Sequence, residues 1–146
     1  MKNVMMVFAS LTGNTEEMAD AVKEGLESGD AEITVKEVFD ANASELEAYE
    51  GIVLGAYTWG DGELPDEFLD FYEEMDDVDL SDKKAVVFGS ADSSYPHFGA
   101  AVDILIAKLQ ERGCTVIGEG LKVEFGPSAE EKEQCRALGR RLLGLD

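Results

Sequence analysis

A polar loop between a strand and a helix is the stretch that most constrains the fold of this chain. Residues 4–9 form a continuous apolar run, which is typical of a strand covered on both faces. The loop 10–15 has the sequence Ser-Leu-Thr-Gly-Asn-Thr, and apolar residues then recur at helical spacing over residues 16–27. A strand that passes directly into a helix in this way predicts an α/β fold.

The loop 10–15 is suited to hold a phosphate group. The first N–H groups of a helix have no intrahelical partner, and the helix dipole adds partial positive charge at the same end. Gly13 permits a sharp turn and a close approach of the backbone to a ligand. Side-chain donors are available on Ser10, Thr12, Asn14 and Thr15.

The same loop contains neither lysine nor arginine, so a phosphate would be held by dipoles and not by countercharge. The P-loop pattern and the dinucleotide pattern GxGxxG are both absent from it. Helix capping is the structural alternative, since serine, threonine and asparagine cap helices without any ligand. Four side-chain donors in six residues exceed what one cap requires, which favours a ligand.

Further strands and helices alternate along the rest of the sequence. Strands are expected at residues 33–38, 51–56 and 85–88, with a fifth at 116–123 that is interrupted at 118–120; helices are expected at 65–75, 98–112 and 128–143, with a helical turn at 43–46. This alternation predicts a five-stranded parallel sheet with helices on both faces. The length of 146 residues predicts a single domain over residues 1–146.

Three polar loops follow the first, third and fourth predicted strands, at residues 10–15, 57–64 and 90–98. In a parallel α/β sheet, ligands bind beyond the carboxyl ends of the strands, where the strand order reverses. The second and third loops contain Trp59 and Tyr95, which could stack on the two faces of a planar heterocycle. Alternatively, each aromatic ring covers an edge of the core.

The charge balance excludes several classes of partner. Twelve basic and 32 acidic residues give a formal net charge of −20, whereas nucleic acids and anionic membranes are bound through basic residues. We therefore expect basic protein partners. No apolar stretch is long enough to span a bilayer, and no signal peptide is visible. We expect Cys114 and Cys135 to be free thiols. Together these features indicate a cytoplasmic protein.

The three loops carry motifs that resemble those of the flavodoxin family. Besides Ser-Leu-Thr-Gly-Asn-Thr at 10–15, they are Tyr-Thr-Trp-Gly-Asp-Gly-Glu-Leu-Pro at 57–65 and Asp-Ser-Ser-Tyr at 92–95. The resemblance runs over the full length and implies a three-layer sandwich with strand order 2-1-3-4-5 and FMN between strands 1 and 3. The short connection after the fifth strand resembles that of short-chain members.

The resemblance also implies a role for individual residues toward non-covalently bound FMN. The first loop, with Thr58, would hold the phosphate, while Trp59 and Tyr95 flank the isoalloxazine ring and Asp92 contacts its pyrimidine edge. The peptide of Gly60 would flip to accept a hydrogen bond from flavin N5. The implied cofactor-binding set is Ser10, Leu11, Thr12, Gly13, Asn14, Thr15, Thr58, Trp59, Gly60, Asp61, Ser90, Asp92, Tyr95 and Phe98. Tyr57 is left out of it, because some relatives have serine there.

The function implied is that of a monomeric, low-potential one-electron carrier and not an enzyme. The Gly60 hydrogen bond would stabilise the neutral semiquinone. Acidic neighbours such as Asp61, Glu63, Asp66 and Asp92 would disfavour the anionic hydroquinone and lower the second potential. The protein would thus shuttle between semiquinone and hydroquinone as it passes electrons between basic redox proteins.

Three other classes of protein are alternatives to an electron carrier. A phosphoacceptor receiver domain needs acidic residues at the ends of strands 1 and 3, where this chain has Ser10 and Tyr57. A small phosphatase needs a nucleophilic cysteine and an arginine in its first loop, and this loop has neither. A flavodoxin-like subunit that serves one enzyme, such as a ribonucleotide reductase activator, remains open. The sequence shows no metal-ligand cluster and no catalytic triad.

Overall fold

The computed structural model describes residues 1–59, 62–92 and 98–145. The strands are β1 (Asn3–Phe8), β2 (Glu32–Glu37), β3 (Gly51–Gly55), β4 (Lys84–Ala91), β5 (Thr115–Val116) and β6 (Leu121–Glu124). The α-helices are α1 (Asn14–Leu26), α2 (Asp66–Glu74), α3 (Ala100–Glu111) and α4 (Ala129–Leu142). Short 3-10 helices occupy Val38–Asp40, Ala43–Ala48 and Met75–Asp77.

The strands form one parallel sheet in the order β2-β1-β3-β4-β5, which confirms the order implied by the resemblance. β6 also pairs with β4, in parallel. The predicted fifth strand is therefore present as two short strands along the same edge of β4. Between them, Gly118 and Gly120 adopt φ values of 77° and 84°, which favour glycine and interrupt the strand.

Alternate residues of β1 face two separate cores. Val4 and Met6 pack on the side covered by α1 and α4, whereas Met5 and Val7 pack on the side covered by α2 and α3. All four of these side chains are fully buried. Burial on both faces explains the uninterrupted apolar run in the sequence, and the predicted helical layers on both faces of the sheet are confirmed.

Helices α1 and α4 pack closely because glycine occupies both sides of their contact. A Cβ atom at Gly139 would lie 2.4 Å from the carbonyl oxygen of Val22, and one at Gly25 would lie 2.0 Å from the carbonyl oxygen of Arg136. Both obstacles are backbone atoms, so neither could move aside without displacing a helix. This pair of helices thus depends on the absence of side chains at both positions.

The carboxyl ends of β1, β3 and β4 lie side by side at one edge of the sheet. The three predicted loops leave the sheet there, so the topology brings them together as expected. Cys114 and Cys135 are free and buried. Within the part of the chain that the structure describes, no helix is both long and apolar enough to cross a membrane.

Candidate cofactor site

A cavity of about 390 Å³ lies at the carboxyl ends of the central strands. Its volume falls in the range of roughly 300–1,000 Å³ that is usual for small-molecule and cofactor sites. Residues of all three predicted loops line it, together with one residue that follows β6. The lining residues are Leu11, Thr12, Asn14, Tyr57, Thr58, Trp59, Ser90, Ala91, Asp92 and Phe125.

The first loop forms a tight turn that presents the start of α1 to the cavity. Gly13 has φ 91°, a left-handed conformation that favours glycine, and α1 begins at the next residue, two positions earlier than predicted. The Ser10 hydroxyl accepts hydrogen bonds from the N–H groups of Gly13 (3.1 Å) and Glu16 (3.3 Å). Ser10 therefore stabilises the turn, while Thr12 and Asn14 line the cavity.

Thr15 joins the first loop to the third. Its side chain is 1% exposed, and its hydroxyl oxygen lies 2.7 Å from that of Ser90, with which it shares a hydrogen bond. Ser90 lies in β4 and lines the cavity. Although Thr15 and Ser90 are 75 positions apart in the sequence, this buried contact fixes the start of α1 against the end of β4.

The second loop is held at both of its described ends. The Thr58 N–H donates to the carbonyl of Ser90 at 3.2 Å, and its hydroxyl accepts from the N–H of Ala101 in α3 at 3.2 Å. Trp59 and Glu63 exchange two backbone hydrogen bonds of 2.8 Å. Trp59 is 50% exposed at the cavity, so its indole is available to a planar ligand.

Tyr57 lines the cavity although the sequence-based set left it out. Its hydroxyl donates a hydrogen bond of 2.7 Å to Glu67 in α2, and its ring lies edge-on to Trp59 with 6.5 Å between centroids. Burial raises the pKa of the Tyr57 phenol, and the hydrogen bond and negative charge of Glu67 raise it further, as does the charge of Asp66. Tyr57 is therefore a neutral donor that links Trp59 to α2.

Not every predicted residue reaches the cavity wall in the described structure. The conformation of the first loop depends on Ser10, Gly13 and Thr15, which are not among the lining residues. Phe98 is half-buried just before α3. The predicted residues Gly60, Asp61 and Tyr95 lie outside the described residues, as does His97.

Ala91 and Phe125 line the cavity without having been predicted. Ala91 is the last residue of β4, and its carbonyl accepts a hydrogen bond of 2.9 Å from the Phe125 N–H. The position of Ala91 at the carboxyl end of a central strand could have indicated it. For Phe125, the only sequence signal is the Gly-Pro pair that follows, which indicates a turn and no particular role.

The chemistry of the lining residues fits FMN. Neutral donors at the start of a helix suit a phosphate group, and the exposed indole of Trp59 suits a planar ring. Of the lining residues that the structure describes, Asp92 is the one with a charged side chain. Among the described residues, no group of three or more histidine, cysteine or acidic side chains could hold a metal ion.

Comparison with known proteins agrees with this geometry. The family model described as "Flavodoxin" matches residues 6–139. Probable flavodoxin 2 of Bacillus subtilis is 43% identical over 142 residues, which cover 97% of this chain and 94% of the relative. The flavodoxin of Maridesulfovibrio salexigens is 37% identical over 134 residues, with coverages of 90% and 92%. The crystal structure of oxidised flavodoxin 1 from Bacillus cereus superposes with a TM-score of 0.95 at 55% identity and covers 98% of each chain.

Proposed function

Since this chain belongs to the flavodoxin family, whose members bind FMN and carry electrons to redox partner proteins without being enzymes, we propose that it is a low-potential one-electron carrier. FMN supplies the redox chemistry when bound, and the protein supplies binding, orientation and electrostatics. The observation that carries the proposal is the cavity itself: three loops converge on it, and the described residues of its lining include no basic side chain in a protein of net charge −20.

The phosphate is assigned to the first loop. Thr12 and Asn14 offer a hydroxyl and an amide at the start of α1, where the helix dipole favours an anion. The space beside the Gly13 backbone is open, because a Cβ atom there would meet no other atom within 4 Å. A phosphate can therefore approach the main chain closely at this residue. Ser10 and Thr15 complete the set as residues that hold the loop in shape, and Thr15 does so through its buried contact with Ser90.

The isoalloxazine ring is assigned to the second and third loops. Trp59 would cover one face, and Asp92 would contact the pyrimidine edge, since both line the cavity. Leu11 and Thr58 lie along the same wall. By resemblance, Tyr95 would cover the second face, Gly60 would accept the hydrogen bond from N5, and Asp61 and Phe98 would belong to the cofactor-binding set.

The low potential follows from the local charge. Reduction by a second electron adds negative charge to the site, and among the described lining residues there is no lysine or arginine to compensate it. One carboxylate about 12 Å away would oppose that charge by roughly 1.4 kcal/mol at an effective dielectric constant near 20, or about 60 mV. Glu63, Asp66 and Glu67 lie in or just after the second loop, so their effects add. We therefore assign function to the second, more negative of the two one-electron couples.

The partners are inferred to be basic redox proteins. A net charge of −20 attracts a basic surface over a distance set by the salt concentration. The same charge favours a monomer, because two copies repel each other. We further infer that residues 1–146 act as one domain in the cytoplasm, where the two free thiols would remain reduced.

Potentiometry of the purified protein tests the proposal. We expect one FMN per chain and two separate one-electron steps, the second well below the first. A single two-electron step would contradict the role assigned to Gly60 and the carboxylates. Electron transfer to a basic haem protein should slow as salt is added, and a rate independent of salt would rule out electrostatic steering.

The phosphate assignment has its own test. Thr12→Ala and Asn14→Ala should each weaken FMN binding more than riboflavin binding, because riboflavin lacks the phosphate. Thr115→Ala provides the matched control, since Thr115 lies exposed in β5 and does not line the cavity. Equal losses for the two flavins would contradict the assignment of the phosphate to this loop.

A further inference from the structure

Phe125 has a backbone conformation that its side chain disfavours. Its φ is 56°, and no other non-glycine residue in the described part of the chain has a positive φ. A Cβ atom makes this left-handed region unfavourable, so glycine is the ordinary choice there. Glycine does occur at the next position, 126, yet the left-handed residue is the phenylalanine. Such strain persists only where the surroundings impose it, and it is concentrated at functional sites.

The surroundings do impose it. The Phe125 N–H donates to the carbonyl of Ala91 at 2.9 Å, which continues the pairing of β6 with β4 by one residue. Gly126 lies against the first loop, where a Cβ atom would be 3.1 Å from Oδ1 of Asn14. Two residues later, Ser128 and Glu131 form a capping box that fixes the start of α4. Phe125 is thus held between the end of β4 and the phosphate loop.

The ring itself is 54% exposed and lines the same cavity as Leu11 and Trp59. Packing within the protein covers only about half of this residue, so a large part of the ring surface stays available to a further contact. A ligand in the cavity would supply that contact.

We propose that Phe125 retains the cofactor: its ring closes the seam between the first and third loops over bound FMN and slows its release. This inference rests on the proposed FMN site and adds a residue to it. The left-handed backbone at position 125 is what directs the ring toward the cavity, and a glycine there would relieve the strain but leave the seam open.

Two substitutions separate the ring from the strain. Phe125→Ala removes the ring and keeps a Cβ atom in the left-handed conformation, whereas Phe125→Gly removes both. Each should release FMN about tenfold faster than the wild type, as expected when roughly 55 Å² of apolar contact is lost. In the absence of FMN, Phe125→Gly should unfold at a higher urea concentration than Phe125→Ala, because glycine tolerates the conformation.

Phe39→Ala is the matched control. Phe39 is also an exposed phenylalanine, at 73%, but it lies in the 3-10 helix after β2, beside a separate groove near α2. Release is followed by the recovery of flavin fluorescence after dilution, and Phe39→Ala should release FMN at the wild-type rate.

Three results would overturn the inference: wild-type release rates in both Phe125 variants, faster release in Phe125→Gly alone, or equally faster release in Phe39→Ala. The second would show that the backbone and not the ring matters. A wild-type protein that binds no FMN would instead refute the proposed function, so the two failures can be distinguished.

Discussion

Replacing Tyr57 with phenylalanine should destabilise the protein at neutral pH and lose this effect in alkali. The substitution removes the hydroxyl that donates to Glu67 at 2.7 Å and leaves the ring in contact with Trp59. A buried hydrogen bond to a charged group contributes about 1.5–3 kcal/mol. Because this pair is only partly buried, solvent screening reduces the expected loss to about 1 kcal/mol.

The pH dependence follows from the raised pKa of Tyr57. Tyrosine in the unfolded chain ionises near its ordinary value of 10.0, whereas burial and the neighbouring carboxylates keep the folded phenol neutral well above that value. The stabilisation is complete below pH 10 and falls as the pH rises, by up to about 1.4 kcal/mol per unit. The difference in the free energy of unfolding between the wild type and Tyr57→Phe should therefore vanish at about pH 10.7.

Urea unfolding of both proteins between pH 7 and pH 11 measures this difference. Other tyrosines and the lysines titrate in both proteins, so their contributions cancel. Glu67→Ala, which removes the acceptor, completes a double-mutant cycle, whose coupling energy should be about 1 kcal/mol at pH 7. A wild-type advantage that stays constant up to pH 11, or a coupling energy of zero, would refute the assignment of the phenol as a neutral donor to Glu67.

Three further predictions concern the scaffold. Gly139→Ala should cost about 1–3 kcal/mol in urea unfolding, because the added Cβ meets the backbone of Val22. Gly29→Ala should cost less, because its Cβ meets side-chain atoms of Leu143 and Leu145 and no backbone atom among its nearest neighbours. Ser128→Ala should cost about 1 kcal/mol by the same measurement, since the hydroxyl accepts from the Glu131 N–H at 3.1 Å. Burial raises the pKa of the Cys135 thiol from 9.0 to about 12, so its thiolate fraction at pH 8 should be about a thousandfold lower than that of an ordinary cysteine. A disulfide reagent should therefore label Cys135 slowly at pH 8, and rapid labelling of the native protein would contradict this.

The sheet and its three loops could be predicted because their signals are local. The apolar run of β1 and the Gly13 turn identify a strand and a helix start within a dozen residues. The resemblance then supplied the strand order, which the structure confirms. The first loop contains no lysine or arginine, and the described residues that line the cavity contain none either.

The contacts that organise the site could not be predicted, since they depend on how distant elements pack. Thr15 meets Ser90 only because α1 and β4 come together, and Tyr57 meets Glu67 only because α2 brings that carboxylate within 2.7 Å of the phenol. Phe125 is a different case, because local preference argues against a left-handed phenylalanine. Tertiary constraints overrode that preference, and no pattern in the sequence shows them.

The division of the outermost strand into β5 and β6 has a consequence for behaviour at high concentration. An unpaired sheet edge can recruit another chain and start aggregation, and proteins counter this with short, interrupted or charged edge strands. β5 has two residues and is separated from β6 by the left-handed glycines, while the opposite edge strand, β2, carries Glu32, Lys36 and Glu37. Both edges of the sheet are thus poor templates for strand pairing between chains, so we expect the protein to resist this route to aggregation at high concentration.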